Sequence, residues 1–196
     1  MDISIRKLSP DLVEDYITFF DNTPHDDGLD ENKCYCVCWC SEDSDGVDFS
    51  SREKRRTLAT HYVKSGAIQG YLAYYGNKIV GWCNTNTKAK CLRCHSWKRF
   101  MKKVPTEDPN EGIKVKSIFC YLIVPEMQRK GIASRILDRI CTDAAQEGFD
   151  YVEAYPKSIT SNGASHFEGP IELYIKFGFT PYFEADGEIV MRKALK

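Results

Sequence analysis

Residues 118–134, IFCYLIVPEMQRKGIAS, carry the clearest structural signal in the sequence. The first seven form an unbroken apolar run, which is typical of a central strand with both faces buried. Pro125 ends this run, and a turn that contains Gly131 leads into an amphipathic helix. The first N–H groups of a helix have no intrahelical partner and carry partial positive charge. The strand, the turn and the helix start therefore predict an anion site.

The residues of the turn agree with that prediction. Gly131 has no Cβ, so a phosphate can approach the backbone closely, and Ala133 keeps the next point of approach small. Arg129 and Lys130 add positive charge. An ordinary strand-to-helix turn with a solvated basic pair is the alternative interpretation. The segment matches neither the nucleotide P-loop nor the three-glycine dinucleotide fingerprint.

The flanking sequence predicts a sheet around this unit. Upstream, two strands meet in a tight hairpin at Gly76-Asn77. A strand, a short helix and a terminal pair of strands are predicted downstream. An N-terminal strand and two helices, one after Ser9 and one at Ser50, come first. The predicted strands are residues 3–5, 71–75, 78–83, 114–124, 151–155, 179–183 and 188–192, and the late helix is residues 167–177. This order predicts an α/β or α+β fold with a mixed sheet.

A length of 196 residues predicts a single domain, residues 1–196. Within it, residues 85–112 have two prolines and few apolar residues. We expect this stretch to be an irregular surface excursion of the domain, because it cannot bury a core of its own.

Composition excludes several classes of protein. The chain has 27 Lys and Arg against 28 Asp and Glu, a formal net charge of −1, so it does not coat nucleic acid or membrane through bulk charge. The longest apolar run is too short for a transmembrane helix. The first ten residues, MDISIRKLSP, lack the pattern of a secretory signal peptide. The chain has nine cysteines, and this odd number fits reduced thiols better than a set of disulfides. We therefore expect a cytoplasmic location.

The segment Gln128-x-x-Gly131-x-Ala133, between an apolar strand and an amphipathic helix, resembles the acyl-CoA-binding motif of the GNAT superfamily of N-acetyltransferases. Residues 172–179, ELYIKFGF, resemble that superfamily's late helix, which carries a tyrosine and ends at Gly-Phe. The resemblance covers about residues 66–193. It implies the GNAT fold, a mixed and mostly antiparallel sheet of about six or seven strands flanked by about four helices.

The resemblance also implies an activity. The chain would be an acetyl-CoA-dependent N-acetyltransferase, with acetyl-CoA as co-substrate, no metal required, and a small-molecule or protein amine as acceptor. We expect neither a nucleic-acid nor a membrane partner, and the oligomeric state stays open. Two alternatives are a non-catalytic acyl-CoA-binding domain and a zinc-dependent interaction module.

Individual residues follow from their places in the two motifs. The resemblance implies that backbone groups of Leu122, Ile123 and Val124 pair with the amides of pantetheine. It also implies a coenzyme-binding set along the turn and first helical residues: Gln128, Arg129, Lys130, Gly131, Ile132, Ala133 and Ser134.

Tyr174 falls on the superfamily's tyrosine and is the expected general acid, since a phenol keeps its proton at pH 7. The alternative is a core aromatic. Glu153, His166 and a chain of water molecules are all possible proton acceptors, so no base is assigned. Cys120 lies near the expected thioester, but a cysteine on a buried strand more often acts as a small apolar residue than as an acyl carrier.

Two further groups of residues have open interpretations. Cys34, Cys36, Cys38 and Cys40 alternate with other residues, and Cys91 and Cys94 have zinc-knuckle spacing. Together they could hold structural zinc, but reduced thiols are the simpler interpretation. Residues 88–103 are basic and contain aromatics, which fits a nucleic-acid patch or, more simply, a solvated face. The acidic residues 21–31 form either a plain exposed loop or an attractor for a cationic amine.

Overall fold

The computed structural model describes residues 1–25, 28–42, 46–106, 111–156, 167–185 and 187–196. Seven strands occur within these ranges: β1 (Ile3–Lys7), β2 (Gly70–Tyr75), β3 (Lys78–Thr87), β4 (Val115–Ile123), β5 (Tyr151–Ala154), β6 (Thr180–Ala185) and β7 (Glu188–Ala194). The described α-helices are α1 (Val13–Asn22), α2 (Arg52–Lys64), α3 (Lys88–Cys91), α4 (His95–Phe100), α5 (Ile132–Gln146) and α6 (Ile171–Lys176).

The strands form one sheet in the order β1-β2-β3-β4-β5-β7-β6. Only the central β4–β5 pair is parallel among the described strands, and the other neighbours are antiparallel. The parallel pair is connected through α5, since parallel neighbours need a crossover. The predicted mixed, mostly antiparallel sheet is confirmed.

Local sequence explains where the main helices begin. The α2 helix starts one residue later than predicted, because Ser51 rather than Ser50 is its N-cap and its side chain accepts a hydrogen bond from the Lys54 N–H. The α5 helix follows Gly131, which has φ +79°. That left-handed conformation strains a residue with a Cβ, so glycine is favoured there.

Both faces of the sheet are covered. On one face, α5 buries an apolar stripe that ends at Ala144 and packs with Tyr121 and Tyr174. On the other face, α1 and α2 pack with residues 35–37 around Trp82. This second layer contains the most heavily buried aromatic residues of the N-terminal part.

Residues 88–104 have more structure than the sequence predicts. The β3 strand continues to Thr87, and α3 and α4 follow it. Trp97 is buried with Phe119 and Tyr155, and Lys88 lies within this layer rather than on a basic surface. The sequence pattern hid this, because each buried apolar residue of the stretch is adjacent to a lysine or an arginine. No helix in the described part of the chain has the length and hydropathy needed to cross a bilayer.

Candidate active site

A gap opens in the middle of the sheet where β4 and β5 separate. The two strands pair over only four positions, from Val115 opposite Tyr151 to Ile118 opposite Ala154. Beyond Ile118, β4 continues to Ile123 without a partner on that side among the described residues, apart from one bond in which the Tyr121 N–H donates to the Phe167 carbonyl. The edge of β4 therefore presents backbone groups to the gap.

Strand alternation decides which backbone groups face the gap. The Val124 N–H donates to the Val80 carbonyl at 3.1 Å, and Leu122 lies opposite Trp82 on β3. Both residues thus direct their backbone groups toward β3, and Ile123, between them, directs its own toward the gap. The side-chain amide of Gln128 donates to the Ile123 carbonyl at 3.3 Å. Of the three residues predicted to contact pantetheine, Ile123 has the gap-facing backbone.

At one end of the gap lies a set of backbone N–H groups without partners. Arg129 and Gly131 both have positive φ, +60° and +79°, which turns the chain sharply into α5. Among the described residues, no acceptor is hydrogen bonded to the N–H groups of residues 129–134, and no side chain caps the helix. We call residues 129–134 the cradle. The exposed side chains of Arg129 and Lys130 add positive charge to it.

The other end of the gap opens into a cavity of about 350 Å³ on the α1 and α4 face of the sheet. A β-bulge shapes its floor: Cys120 lies opposite Asn84 and Ile118 opposite Thr85, so Phe119 is the extra residue. A bulge re-aims side chains, and here both Phe119 and Cys120 line the cavity. Its Phe, Tyr and Trp lining residues are Phe20, Trp39, Phe100, Phe119, Tyr121, Tyr155 and Phe167.

Two tyrosines lie beside the gap. Tyr174 is fully buried, and its hydroxyl donates to the Glu168 carbonyl. A Cβ built on Gly169 would lie 3.0 Å from the Tyr174 hydroxyl and 3.4 Å from the Tyr121 ring, so the two side chains meet at this glycine. The buried Tyr121 hydroxyl has no hydrogen-bond partner among the described residues. Burial raises the pKa of both phenols well above the usual value near 10, so both stay protonated at neutral pH.

Of the two residues named as possible bases, the structure describes Glu153. Glu153 is fully buried and is held by Lys88 at 3.0 Å and by a hydrogen bond from Arg192 Nε at 2.8 Å. The Tyr155 hydroxyl also donates to it at 2.9 Å. Its oxygens are therefore engaged in a structural network and do not face the gap. His166 lies outside the described residues.

The cysteines are thiols, and two of them lie in contact. Cys36 Sγ is 3.4 Å from Cys120 Sγ at the cavity floor, and Trp82 Nε1 donates to Cys36 Sγ at 3.4 Å. Cys91 and Cys94 donate to backbone carbonyls of Trp39 and Lys90. No group of three or more His, Cys, Asp or Glu in the described ranges has an arrangement that could hold a metal ion.

Most of the residues that line the cavity were not identified from the sequence. Phe20, Trp39, Glu168 and Glu188 come from four separate segments that only the tertiary structure brings together. No local spacing links them, so the sequence contains no signal from which they could be grouped.

Comparison with known proteins agrees with this geometry. A family model described as the acetyltransferase (GNAT) family matches residues 31–179, more than half of the chain. The fold is similar to that of an acetyltransferase of the GNAT family from Streptococcus pneumoniae, with 16% identity, a TM-score of 0.54 and 100% of each chain covered. It is also similar to the PaiA N-acetyltransferase from Thermoplasma acidophilum in complex with coenzyme A, with 14% identity, a TM-score of 0.54 and 99% of each chain covered.

A third similar structure is the ribosomal-protein-S18-alanine N-acetyltransferase from Escherichia coli, at 14% identity and a TM-score of 0.52, covering 100% of this chain and 95% of that one. At such low identities, the similarity to solved structures shows the fold alone. No curated protein matches the chain.

Proposed function

Because the chain belongs to the acetyltransferase (GNAT) family and is therefore an acyltransferase, we propose that it moves an acetyl group from acetyl-CoA directly to an amine. The observation that carries this proposal is the cradle. Its N–H groups have no acceptor among the described residues, although they lie at a helix start that favours negative charge. The pyrophosphate of coenzyme A supplies the missing acceptors.

The path from the cradle to the cavity suits the rest of the coenzyme. The Ile123 backbone, which faces the gap, pairs with a pantetheine amide as a further strand would. Phe167, bonded to the Tyr121 N–H, lies at the far end of this path. The arm therefore ends beside Tyr121 and Tyr174, at the mouth of the cavity.

Acetyl-CoA supplies the acetyl thioester when bound. The amine nitrogen attacks the acetyl carbon, so that a C–N bond forms while the C–S bond breaks. Tyr174 gives its hydroxyl proton to the departing sulfur and turns from its present bond to the Glu168 carbonyl to do so. Its raised pKa keeps that proton in place until the thiolate forms. The attacking nitrogen loses its proton through the cavity to solvent, and the Tyr174 phenolate takes a proton back from solvent before the next turnover.

The test is release of free thiol from acetyl-CoA in the presence of a panel of amines, with mass spectrometry of the products. We expect thiol release that depends on the amine and yields its acetamide. We also expect acetyl-CoA at about a hundredfold over its Kd to stabilise the protein by roughly 2.7 kcal/mol. Stabilisation without thiol release for any amine would contradict catalysis and indicate a domain that only binds acyl-CoA.

A further inference from the structure

The lining of the cavity restricts which amines fit. A volume of about 350 Å³ lies at the small end of the roughly 300–1,000 Å³ that is usual for small-molecule sites. The wall consists mainly of aromatic and apolar side chains. Such a cavity favours a flat apolar body of one or two rings, which gains its binding free energy by leaving water.

The charges of the wall are few and mostly balanced. The described lining includes two acidic residues, Glu168 and Glu188, and two basic ones, Lys33 and Arg99. Lys33 is paired with Asp30 at 2.8 Å, and Arg99 is exposed at the rim, over the Phe100 ring. A polyamine or an aminoglycoside carries several ammonium groups and needs more carboxylates than the described part of this wall provides.

One carboxylate oxygen of Glu188 lacks a hydrogen-bond donor in the described part of the chain, and an ammonium group could supply one. It is partly buried, and one of its carboxylate oxygens, Oε2, is shielded from solvent and has no hydrogen-bond partner among the described residues. A carboxylate oxygen in that state is costly unless a donor reaches it. Glu188 lines the cavity, and Oε2 in its present position is closed to a group the size of a water molecule. A rotation of the carboxylate brings this oxygen into the cavity, where a ligand can provide the donor.

The sheet register places Glu188 level with the expected thioester. Ile118, Ala154 and Met191 lie on one rung, across β4, β5 and β7. Tyr121 is three residues beyond this rung on β4, and Glu188 is three residues beyond it on the antiparallel β7. Glu188 is thus about 10 Å past the rung, and Tyr121 about 7 Å, because the bulge at Phe119 shortens the advance of β4. The two residues lie on opposite sides of the gap and within a few ångströms of the same height.

We propose that the acceptor is a small primary amine with an aromatic body, whose ammonium group binds Glu188 while its ring lies among the cavity aromatics. The bound ammonium releases one proton to solvent through the cavity, and the neutral nitrogen then attacks the thioester. This proposal rests on the proposed function, because it names the substrate class for the same site. A single positive charge satisfies Glu188, and the ring occupies the space between Trp39 and Phe119 on one side and Phe100 at the rim.

The first experiment compares kcat/KM for 2-phenylethylamine, methylamine and spermidine by thiol release. We expect 2-phenylethylamine to exceed methylamine by about a hundredfold, because its ring is buried, and to exceed spermidine as well. Phe100→Ala should lower kcat/KM for 2-phenylethylamine by a larger factor than kcat/KM for methylamine, and so reduce this preference. A higher kcat/KM for spermidine would overturn the proposal and leave the acetyltransferase function intact.

The second experiment tests Glu188 against a matched control. Glu188→Gln should raise KM for 2-phenylethylamine about tenfold or more, since a charge-assisted bond is lost, with the Kd of coenzyme A unchanged. Glu184→Gln makes the same charge change on the neighbouring strand at an exposed position outside the cavity, and should leave KM unchanged. Equal KM values for the two variants would overturn the role of Glu188.

Calorimetry of 2-phenylethylamine binding to the complex with coenzyme A tests the ligand class separately from the transferase function. Binding that weakens in Glu188→Gln, together with an absence of thiol release for every amine, would support the ligand class and contradict the transferase function. Thiol release with other amines and no binding of 2-phenylethylamine would contradict the ligand class alone.

Discussion

The cradle and the cavity lie at the two ends of one gap, yet they are built in opposite ways. The cradle consists of six consecutive residues and offers backbone N–H groups. The cavity consists of side chains from α1, residues 33–39, α4, β4 and the start of β7. The cradle thus depends on chain conformation at Arg129 and Gly131, whereas the cavity depends on which side chains many segments contribute. Substitutions should therefore affect coenzyme binding at few positions and acceptor binding at many.

The largest effect is expected at Gly131. In Gly131→Asp, the backbone has to keep φ near +79° with a Cβ present, and a carboxylate lies against the pyrophosphate. We expect the affinity for coenzyme A to fall about a thousandfold, or about 4 kcal/mol. Isothermal titration calorimetry measures this directly.

Gly148→Asp is the matched control for that variant. Gly148 follows the other end of α5, has φ +75°, and has nothing within 4 Å of an added Cβ, as at Gly131. The two variants carry the same backbone strain and charge, but only one of them is at the cradle. If both bind coenzyme A like the unaltered protein, the cradle does not hold the pyrophosphate.

A smaller effect is expected at Tyr174, which lies where the two regions meet. Tyr174→Phe removes the proton donor, and we expect kcat to fall about a hundredfold with the Kd of acetyl-CoA nearly unchanged. Tyr71→Phe removes another buried hydroxyl, bonded to Asp143 at 3.0 Å and remote from the cavity. It should keep full kcat. Full activity in Tyr174→Phe would exclude Tyr174 as the general acid.

The smallest effect concerns the free energy of unfolding at alkaline pH, to which buried thiols at the cavity floor and on α5 contribute. Contact with Cys120 and burial raise the pKa of Cys36 at the cavity floor, and burial raises the pKa of Cys141 on α5 to about 11. In the unfolded chain a thiol has a pKa of about 8.5. Above that pH the unfolded chain releases protons that the folded protein keeps, so the free energy of unfolding falls as pH rises.

We expect urea unfolding under reducing conditions to give constant stability up to about pH 8.5. Above it, stability should decline by up to about 1.4 kcal/mol per pH unit for each such thiol. Cys36→Ala should make the decline shallower by one thiol's share. A decline that starts only above pH 10 would show that the thiols make no contribution.

The same contrast explains how much could be predicted from the sequence. The strand, the turn and the helix from residue 118 onward are local, because the apolar run, Gly131 and the apolar stripe of α5 each act within a few residues. The sheet class and the family resemblance followed from them and are confirmed. The start of α2 was off by one residue, since Ser50 and Ser51 are equally suited as caps and the backbone around them decides between them.

The lining of the cavity could not be predicted, because it is formed by residues that only the tertiary structure brings together. Phe119 lines it through a bulge that no pattern in β4 reveals, and Glu188 reaches it through a strand register. Glu153 illustrates the same limit: it was one of several open candidates for the base, and only the structure shows that Lys88 and Arg192 hold it in a buried network. Pairing partners that far apart in the sequence cannot be deduced from one chain.

The cavity wall to which residues 33–39 contribute has a consequence for how this enzyme can diverge. Tyr16 holds it by a hydrogen bond to the Tyr35 carbonyl at 2.9 Å, and Arg55 Nε by one to the Lys33 carbonyl at 2.9 Å. Neither Tyr16 nor Arg55 lines the cavity. Exchanges at such remote supports would shift the wall without altering any lining side chain or the cradle, so the shape of the cavity can change over evolution independently of the cradle.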